Sequence, residues 1–411
     1  MADSKPLPLH VLIVQNQFPQ EAHWGGISTF GWFMSSALAR EGAHVTVICQ
    51  SSKEIIEPVQ IISDHIQVFR IPGKSPIKGF NAKFLARFLP DKDRWFAINV
   101  WQTVKRLQQE GFQFDIVDAA DYLGGAAYLL RDKSFSIPVV VTCHTPAFLA
   151  DEMNEGKSSK ALNAHKKVYQ LELFALQQAA GVLSPSHRLS NLLAAKTGRP
   201  LTDFFTNPYP YPLQRELQSI PKEVAISVPY ILFTGRIERR KGIQRLLEAW
   251  SQSKYKKDYA LVLAGKKTNH FEEFELFATG MSGTRVHFIG HRDREELAWL
   301  YRNASLVVLP SEPFENYPYT CIESLAFGAP TLVSDSGGMS EMIVNEENGW
   351  IFRTGSTEHL TERIDEILGL PINERIQRGQ KAQHTIRRIN EPSRIAQRAL
   401  KYYRRVIEDY S

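Results

Sequence analysis

No Gly-x-Gly occurs anywhere in the 411-residue chain, nor does Gly-x-x-x-x-Gly-Lys-Ser/Thr. The first absence removes the fingerprint of dinucleotide enzymes and the second removes the phosphate cradle of P-loop nucleotidases. A Gly-x-Ser-x-Gly elbow and a close His/Cys cluster are also missing, so serine-hydrolase and zinc chemistry have no residues to rest on. Cysteine is scarce: Cys49, Cys143 and Cys321 stand far apart and match no metal or redox spacing, which favours a reduced compartment. No apolar run approaches the roughly 20 residues of a membrane span, and Met1 to Pro8 leads into a short strand without a signal-peptide pattern. A cytoplasmic protein is expected.

What is present is an ordinary globular mixture, 43% hydrophobic and 23% charged with a net charge of +5, long enough for about two or three domains. Short apolar runs alternate with helical patterns. In the first half the runs are Leu9 to Gln15, Ala43 to Cys49, Ile66 to Ile71, Phe114 to Asp118, Pro138 to Cys143 and Gly181 to Ser184; the second half restarts at Tyr230 and continues through Tyr259 to Ala264, Val286 to Ile289, Ser305 to Leu309 and Thr331 to Ser334. Strands alternating with helices imply parallel sheets and an α/β fold. The proline cluster Asn207-Pro208-Tyr209-Pro210-Tyr211-Pro212 is hard for a helix to cross and is read as the linker. This predicts domains at 1–206 and 207–390, followed by a terminal helix over about 391–409.

The most informative stretch is Ser311 to Gly338, SEPFENYPYTCIESLAFGAPTLVSDSGG. Pro318 suits a first helical turn, so a loop carrying Glu315 is predicted to lead from a strand into a helix carrying Glu323. Amides at such a helix start can receive an anion or sugar hydroxyls, and the two carboxylates can each grip separate hydroxyls. A second segment, Gly235-Arg236-Ile237-Glu238-Arg239-Arg240-Lys241-Gly242, follows the buried run Pro229 to Thr234. Arg236 and Lys241 therefore stand at the carboxyl end of a strand, where ligands of open α/β sheets gather. Standing alone, the segment would read sooner as a solvated basic turn; as a site, it is expected to place the Arg236 and Lys241 side chains in an open cleft and not in the core.

Taken together, the run Ala304 to Ser311, the small-residue helix Ser324 to Gly328, the strand Pro330 to Ser334 and Ser336-Gly337-Gly338 resemble the donor-site motif of the retaining glycosyltransferases of family 4. Asn316-Tyr317-Pro318 stands where many members carry Pro-Phe-Gly. The resemblance implies the GT-B architecture, with two Rossmann-like domains facing across a cleft and the last helix packing back on the first. It further implies retention of anomeric configuration, no metal and no cofactor beyond the nucleotide sugar, whether UDP-, GDP- or ADP-linked. Arg236 and Lys241 would hold the diphosphate, Glu315 the sugar hydroxyls and Glu323 the ribose, with Gly235, Asn316 and Tyr317 lining the donor site; Arg239 and Arg240 are left as surface charge.

The same resemblance covers the first half more loosely. Trp24-Gly25-Gly26-Ile27-Ser28 follows the first strand and stands where the family has a glycine loop, and His144 follows the Pro138 to Val141 run where the family has a histidine near the donor sugar. Gly25, Gly26 and His144 would then form the wall opposite the donor domain, His144 as a sugar contact. Asp121 and Tyr122 end another strand and are candidate acceptor contacts.

Lys74 to Arg106 carries eight basic residues against Asp91 and Asp93, with Phe80, Phe84, Trp95, Phe96 and Trp101 among them. This pattern suits either an anionic membrane surface or the first-domain core with cations around it. Asp91-Lys92-Asp93 has the form used by metal-dependent transferases of the other major fold, but it follows Pro90 instead of a buried strand and reads as a loop or N-cap. Nucleic acid is a poorer partner. The expected partners are a nucleotide-sugar donor and a glycan, lipid-linked or small-molecule acceptor; a non-catalytic sugar-nucleotide or glycan-binding partner of another transferase, and a phosphorylase using a sugar phosphate, are the competing readings.

Overall fold

The computed structural model describes residues 7–19, 25–51, 59–72, 95–153, 159–213, 226, 228–268, 271–312 and 314–411, with backbone alone at 153 and 159–165. They form two compact units, Met1–Pro212 with Asn390–Ser411, and Leu213–Ile389.

The first unit is built on eight strands: β1 (His10–Val14), β2 (His44–Ser51), β3 (Val59–Ser63), β4 (Ile66–Pro72), β5 (Ile116–Ala120), β6 (Val139–Thr142), β7 (Gly181–Ser184) and β8 (Phe204–Thr206). Their order is β3-β4-β2-β1-β5-β6-β7-β8, parallel except for the β3/β4 pair. The central strands are Val-, Ile- and Leu-rich because helices cover both faces and no polar face is left to alternate. The second unit carries β9 (Tyr230–Thr234), β10 (Ala260–Ala264), β11 (Val286–Gly290), β12 (Leu306–Leu309), β13 (Thr331–Ser334) and β14 (Trp350–Phe352) in the order β11-β10-β9-β12-β13-β14, all parallel. The expected α/β class with parallel sheets is what forms. Three strands were not expected: β8 and β14 have three residues each, too few for a periodic pattern, and β3 is an antiparallel edge with exposed Val59 and Ile61.

The Asn207 to Pro212 segment is not a linker between units but part of the first. Asn207, Tyr209 and Tyr211 are buried. Asn390 Nδ2 donates to the Tyr209 carbonyl at 2.8 Å, and Tyr211 N donates to the Asn390 carbonyl at 2.8 Å. Prolines do prevent a helix here, yet the tyrosines between them offer large surfaces whose burial anchors the segment. The terminal helix, Pro392–Tyr410, belongs to the same unit: Val182 N donates to the Tyr402 hydroxyl at 3.0 Å, and the Tyr403 hydroxyl donates to Asp118.

Among their parallel strands both sheets reverse strand order once, between β1 and β5 in the first and between β9 and β12 in the second. Loops leaving the carboxyl ends of such neighbours part in opposite directions and leave a crevice. In the second unit the crevice floor depends on Gly242, which has φ +70° and whose added Cβ would lie 1.9 Å from the Pro310 carbonyl oxygen. Gly242→Ala should therefore lower stability by about 1–2 kcal/mol from backbone strain, with overpacking on top. A denaturation midpoint equal to that of the parent would refute this.

Candidate functional site

β9 ends at buried Thr234, and Gly235 turns the chain with φ +141°. Gly265, at the end of β10, supports this bend, since a Cβ there would lie 1.6 Å from the Gly235 carbonyl oxygen. Arg236 follows with a side chain 58% exposed, 3.3 Å from Glu238. A short turn, Arg239–Lys241, then delivers Gly242 to the start of the helix Ile243–Gln252.

From β12 the chain reaches Glu315, only 7% exposed. Its Oε1 accepts from Arg240 Nη1 at 2.7 Å and from Lys241 Nζ at 2.6 Å. Burial alone would raise the Glu315 pKa, but the adjoining Lys241 and Arg240 charges reverse this and hold the carboxyl below its ordinary range. Two sequence expectations are corrected here. Arg240 is not surface charge, for it bridges Glu315 and Glu238, lying 2.6 Å from the latter. Lys241 does not stand in the open: its side chain is 14% exposed. Both were missed because a charged turn next to a strand looks solvated until the opposing carboxylate, more than 70 residues later, is placed beside it. Arg239 is exposed as expected and pairs with Glu273.

The Ser336-Gly337-Gly338 turn supports Glu315 from below. Gly337 has φ +60°, and a Cβ there would approach the Glu315 backbone to 2.3 Å; Met339 N donates to the Glu315 carbonyl at 3.3 Å. Asn316 and Tyr317 are buried behind it. Pro318 precedes the helix Tyr319–Ala326 as its N-cap. On that helix Glu323 is half-buried and accepts from the Tyr301 hydroxyl at 3.2 Å, which also lies 2.7 Å from Thr234 Oγ1. Burial raises the Glu323 pKa to about 7. Tyr301 carried no sequence signal, being one tyrosine on an ordinary amphipathic helix.

The first unit assembles its candidates at the carboxyl ends of β1, β5 and β6. Gly25 is the N-cap of the helix Gly26–Arg40, with φ −98°; a Cβ on Gly26 would meet no described atom within 4 Å. A Cβ on Gly25 would lie 3.2 Å from Gln17 Oε1, which would have to give way, whereas no described neighbour demands a glycine at 26. Trp24 lies outside the described residues. His144 follows β6 half-buried, its Nδ1 2.7 Å from the Tyr209 hydroxyl and its ring edge-on to Phe30. Burial lowers its pKa to about 3, so the imidazole is neutral at physiological pH. Asp121 is not placed to meet an acceptor: it is fully buried, and its Oδ2 accepts from His144 N at 3.0 Å and Thr145 N at 3.1 Å. Tyr122, half-buried, opens the turn Tyr122–Gly124.

Of the basic aromatic stretch, 73–94 lies outside the described residues, including Asp91-Lys92-Asp93. From Trp95 onward the aromatics are core. Trp95 and Phe96 are buried, Trp101 Nε1 donates to Asp132 at 2.8 Å, and Lys105 lies 2.7 Å from the same carboxylate. Among the described residues no helix is long and apolar enough to cross a membrane, and no group of three or more His, Cys, Asp or Glu could hold a metal ion.

Residues 24–208 match the model of Glycosyltransferase Family 4, and residues 218–385 match that of Glycosyl transferases group 1. The chain belongs to this glycosyltransferase family. A D-inositol 3-phosphate glycosyltransferase of Xylanimonas cellulosilytica is 25% identical over 341 residues, 79% of either chain. In fold, this glycosyltransferase is similar to the sucrose-phosphate synthase of Thermosynechococcus elongatus, with a TM-score of 0.78 and 21% identity over 98% of this chain and 100% of that one. It is also similar to Anabaena HepE in complex with UDP and glucose, with a TM-score of 0.68 and 15% identity over 96% and 99% of the two chains. The fold is GT-B, and the Glu315 and His144 loops lie within the matched regions.

Proposed function

We propose that this glycosyltransferase moves a hexosyl group from a nucleotide-diphosphate donor to a glycan, lipid-linked or small-molecule acceptor, with retained anomeric configuration and without a metal ion. The observation that carries the reading is the Lys241–Glu315–Arg240 cluster at the β9/β12 crevice, with Arg236 exposed beside it. A departing diphosphate gains negative charge as the glycosidic bond breaks. Fixed cations at that point stabilise the transition state more than the ground state and need no reorganisation. Glu315 holds Lys241 and Arg240 in place and offers its remaining acceptor capacity to sugar hydroxyls, while Glu323 serves the ribose. A neutral His144 suits a hydrogen bond to the sugar and not proton donation as an imidazolium. The retaining outcome rests on the family resemblance, in which front-face attack accompanies departure of the diphosphate.

Support for a nucleotide-sugar donor comes from the structural neighbour that holds UDP and glucose, and another relative is named for D-inositol 3-phosphate. A melting-temperature panel of UDP, GDP, ADP and their sugars identifies the base. The correct nucleotide at 100 times its Kd should stabilise the protein by about 2.7 kcal/mol. Turnover is expected to survive EDTA, and NMR of the product should show the donor's anomeric configuration. Binding without any donor hydrolysis would instead favour the non-catalytic partner reading, and activity lost to EDTA and restored by manganese would end the metal-independent one.

A further inference from the structure

Glu172 lies on the helix Ser159–Gln178 among buried Val168, Leu171, Ala175 and Leu176, and it is itself fully buried. A carboxylate in an apolar face is costly unless hydrogen-bonded. Here Oε1 accepts from Leu123 N at 2.9 Å and Ala147 N at 3.0 Å, and Oε2 accepts from Phe148 N at 3.1 Å. One side chain thus ties together the loops leaving β5 and β6. The first loop is pressed onto this helix: a Cβ on Gly124 would lie 2.8 Å from the Leu171 backbone.

Backbone strain falls at the same places. Three non-glycine residues among those described have left-handed φ, namely Leu123 (+67°), Thr145 (+152°) and Glu346 (+64°). Leu123 donates its amide to Glu172, and Thr145 donates its amide to Asp121. Such conformations are costly and persist only where the surroundings over-determine them. Asp121 also takes the amide of His144 itself, so the two carboxylates hold both strained turns and the residue between them.

We infer that Glu172, acting with Asp121, is a positioning residue that clamps the Tyr122–Gly124 turn and the His144–Phe148 segment, and so sets His144 for the sugar. The inference rests on the role given to His144 under the proposed function.

Glu172→Gln keeps the size but removes one acceptor. The amide oxygen can serve Leu123 and Ala147, or Phe148, and the NH2 group then faces an N–H. Turnover should fall roughly 10- to 100-fold, as for a small misplacement of a reacting group, with donor KM within about twofold. Hydrogen exchange at Leu123, Ala147 and Phe148 should quicken selectively. Leu123→Gly in the Glu172→Gln background relieves the strain at φ +67° and should recover part of the lost turnover. Unchanged turnover in a folded Glu172→Gln protein would overturn the inference, as would exchange that quickens evenly across the unit. If the single variant does not fold, a double variant that also stays unfolded overturns it too, because the carboxylate then carries the fold and not the turn. Should the parent protein neither transfer nor hydrolyse any nucleotide sugar, the functional reading fails, while exchange at the three amides still decides whether Glu172 holds the turns.

Discussion

Replacing Lys241 by alanine is expected to lower turnover by about 10²–10³, the range for losing one preorganised electrostatic contact to developing charge. The substitution should also lower the melting temperature. The Lys241 ammonium is mostly buried against Glu315, and its removal leaves that carboxylate with Arg240 as its remaining cationic partner among the described residues. Arg236→Ala separates the two effects, because the Arg236 guanidinium is exposed: turnover should drop with the melting temperature unchanged, exposed ion pairs being worth little to stability. Steady-state rates and thermal melts of both variants check this. Full activity in both would mean that the leaving group is stabilised elsewhere.

The second large effect belongs to Glu315. Glu315→Gln should destabilise the second unit by about 3 kcal/mol, the lower end of the range for breaking a buried ion pair. Arg240 keeps Glu238 at 2.6 Å, whereas Lys241 loses the anion that offsets its burial. Turnover should fall as well, because the cations are no longer held in place. Glu323→Gln provides the contrast. With its pKa raised to about 7 by burial, Glu323 is already partly protonated at neutral pH, so an amide costs the fold little. A ribose contact present in ground and transition states alike then shows as a higher donor KM. Urea melts and kinetics of the two variants decide the matter, and identical profiles would show that the distinct roles were assigned without cause.

Much of the architecture is legible in the chain. The run Pro229 to Thr234 became β9, one residue shorter at its start, and Phe114 to Asp118 became Ile116–Ala120, displaced by two residues. Buried parallel strands advertise themselves as unbroken apolar runs bounded by turns. The Pro318 signal placed the start of the Glu323 helix within one residue. What escaped was short or solved by burial: three-residue strands have no period to detect, and the prolines at 208, 210 and 212 hid the anchoring of Tyr209 and Tyr211. Asp121 was legible as a strand-end residue but not as a buried one, because only the return of β6 beside β5 supplies the amides of His144 and Thr145.

The sequence by itself determined an α/β chain of parallel strands, and it determined which segments leave the carboxyl ends of β9 and β12 carrying Arg236, Lys241 and Glu315. Which charges meet was decided only by the tertiary structure. Lys241 and Glu315 are 74 positions apart; they touch because β9 pairs with β12 and not with the next strand in sequence alone, and because glycines at 242 and 337 let backbones close to distances that a side chain would forbid. The same holds for Glu172, which reads locally as one more acid on a helix. Its meaning comes from the strained Leu123 turn and the Ala147–Phe148 segment, which reach it from other strands, and long-range proximity of that kind leaves no periodic trace in a linear sequence.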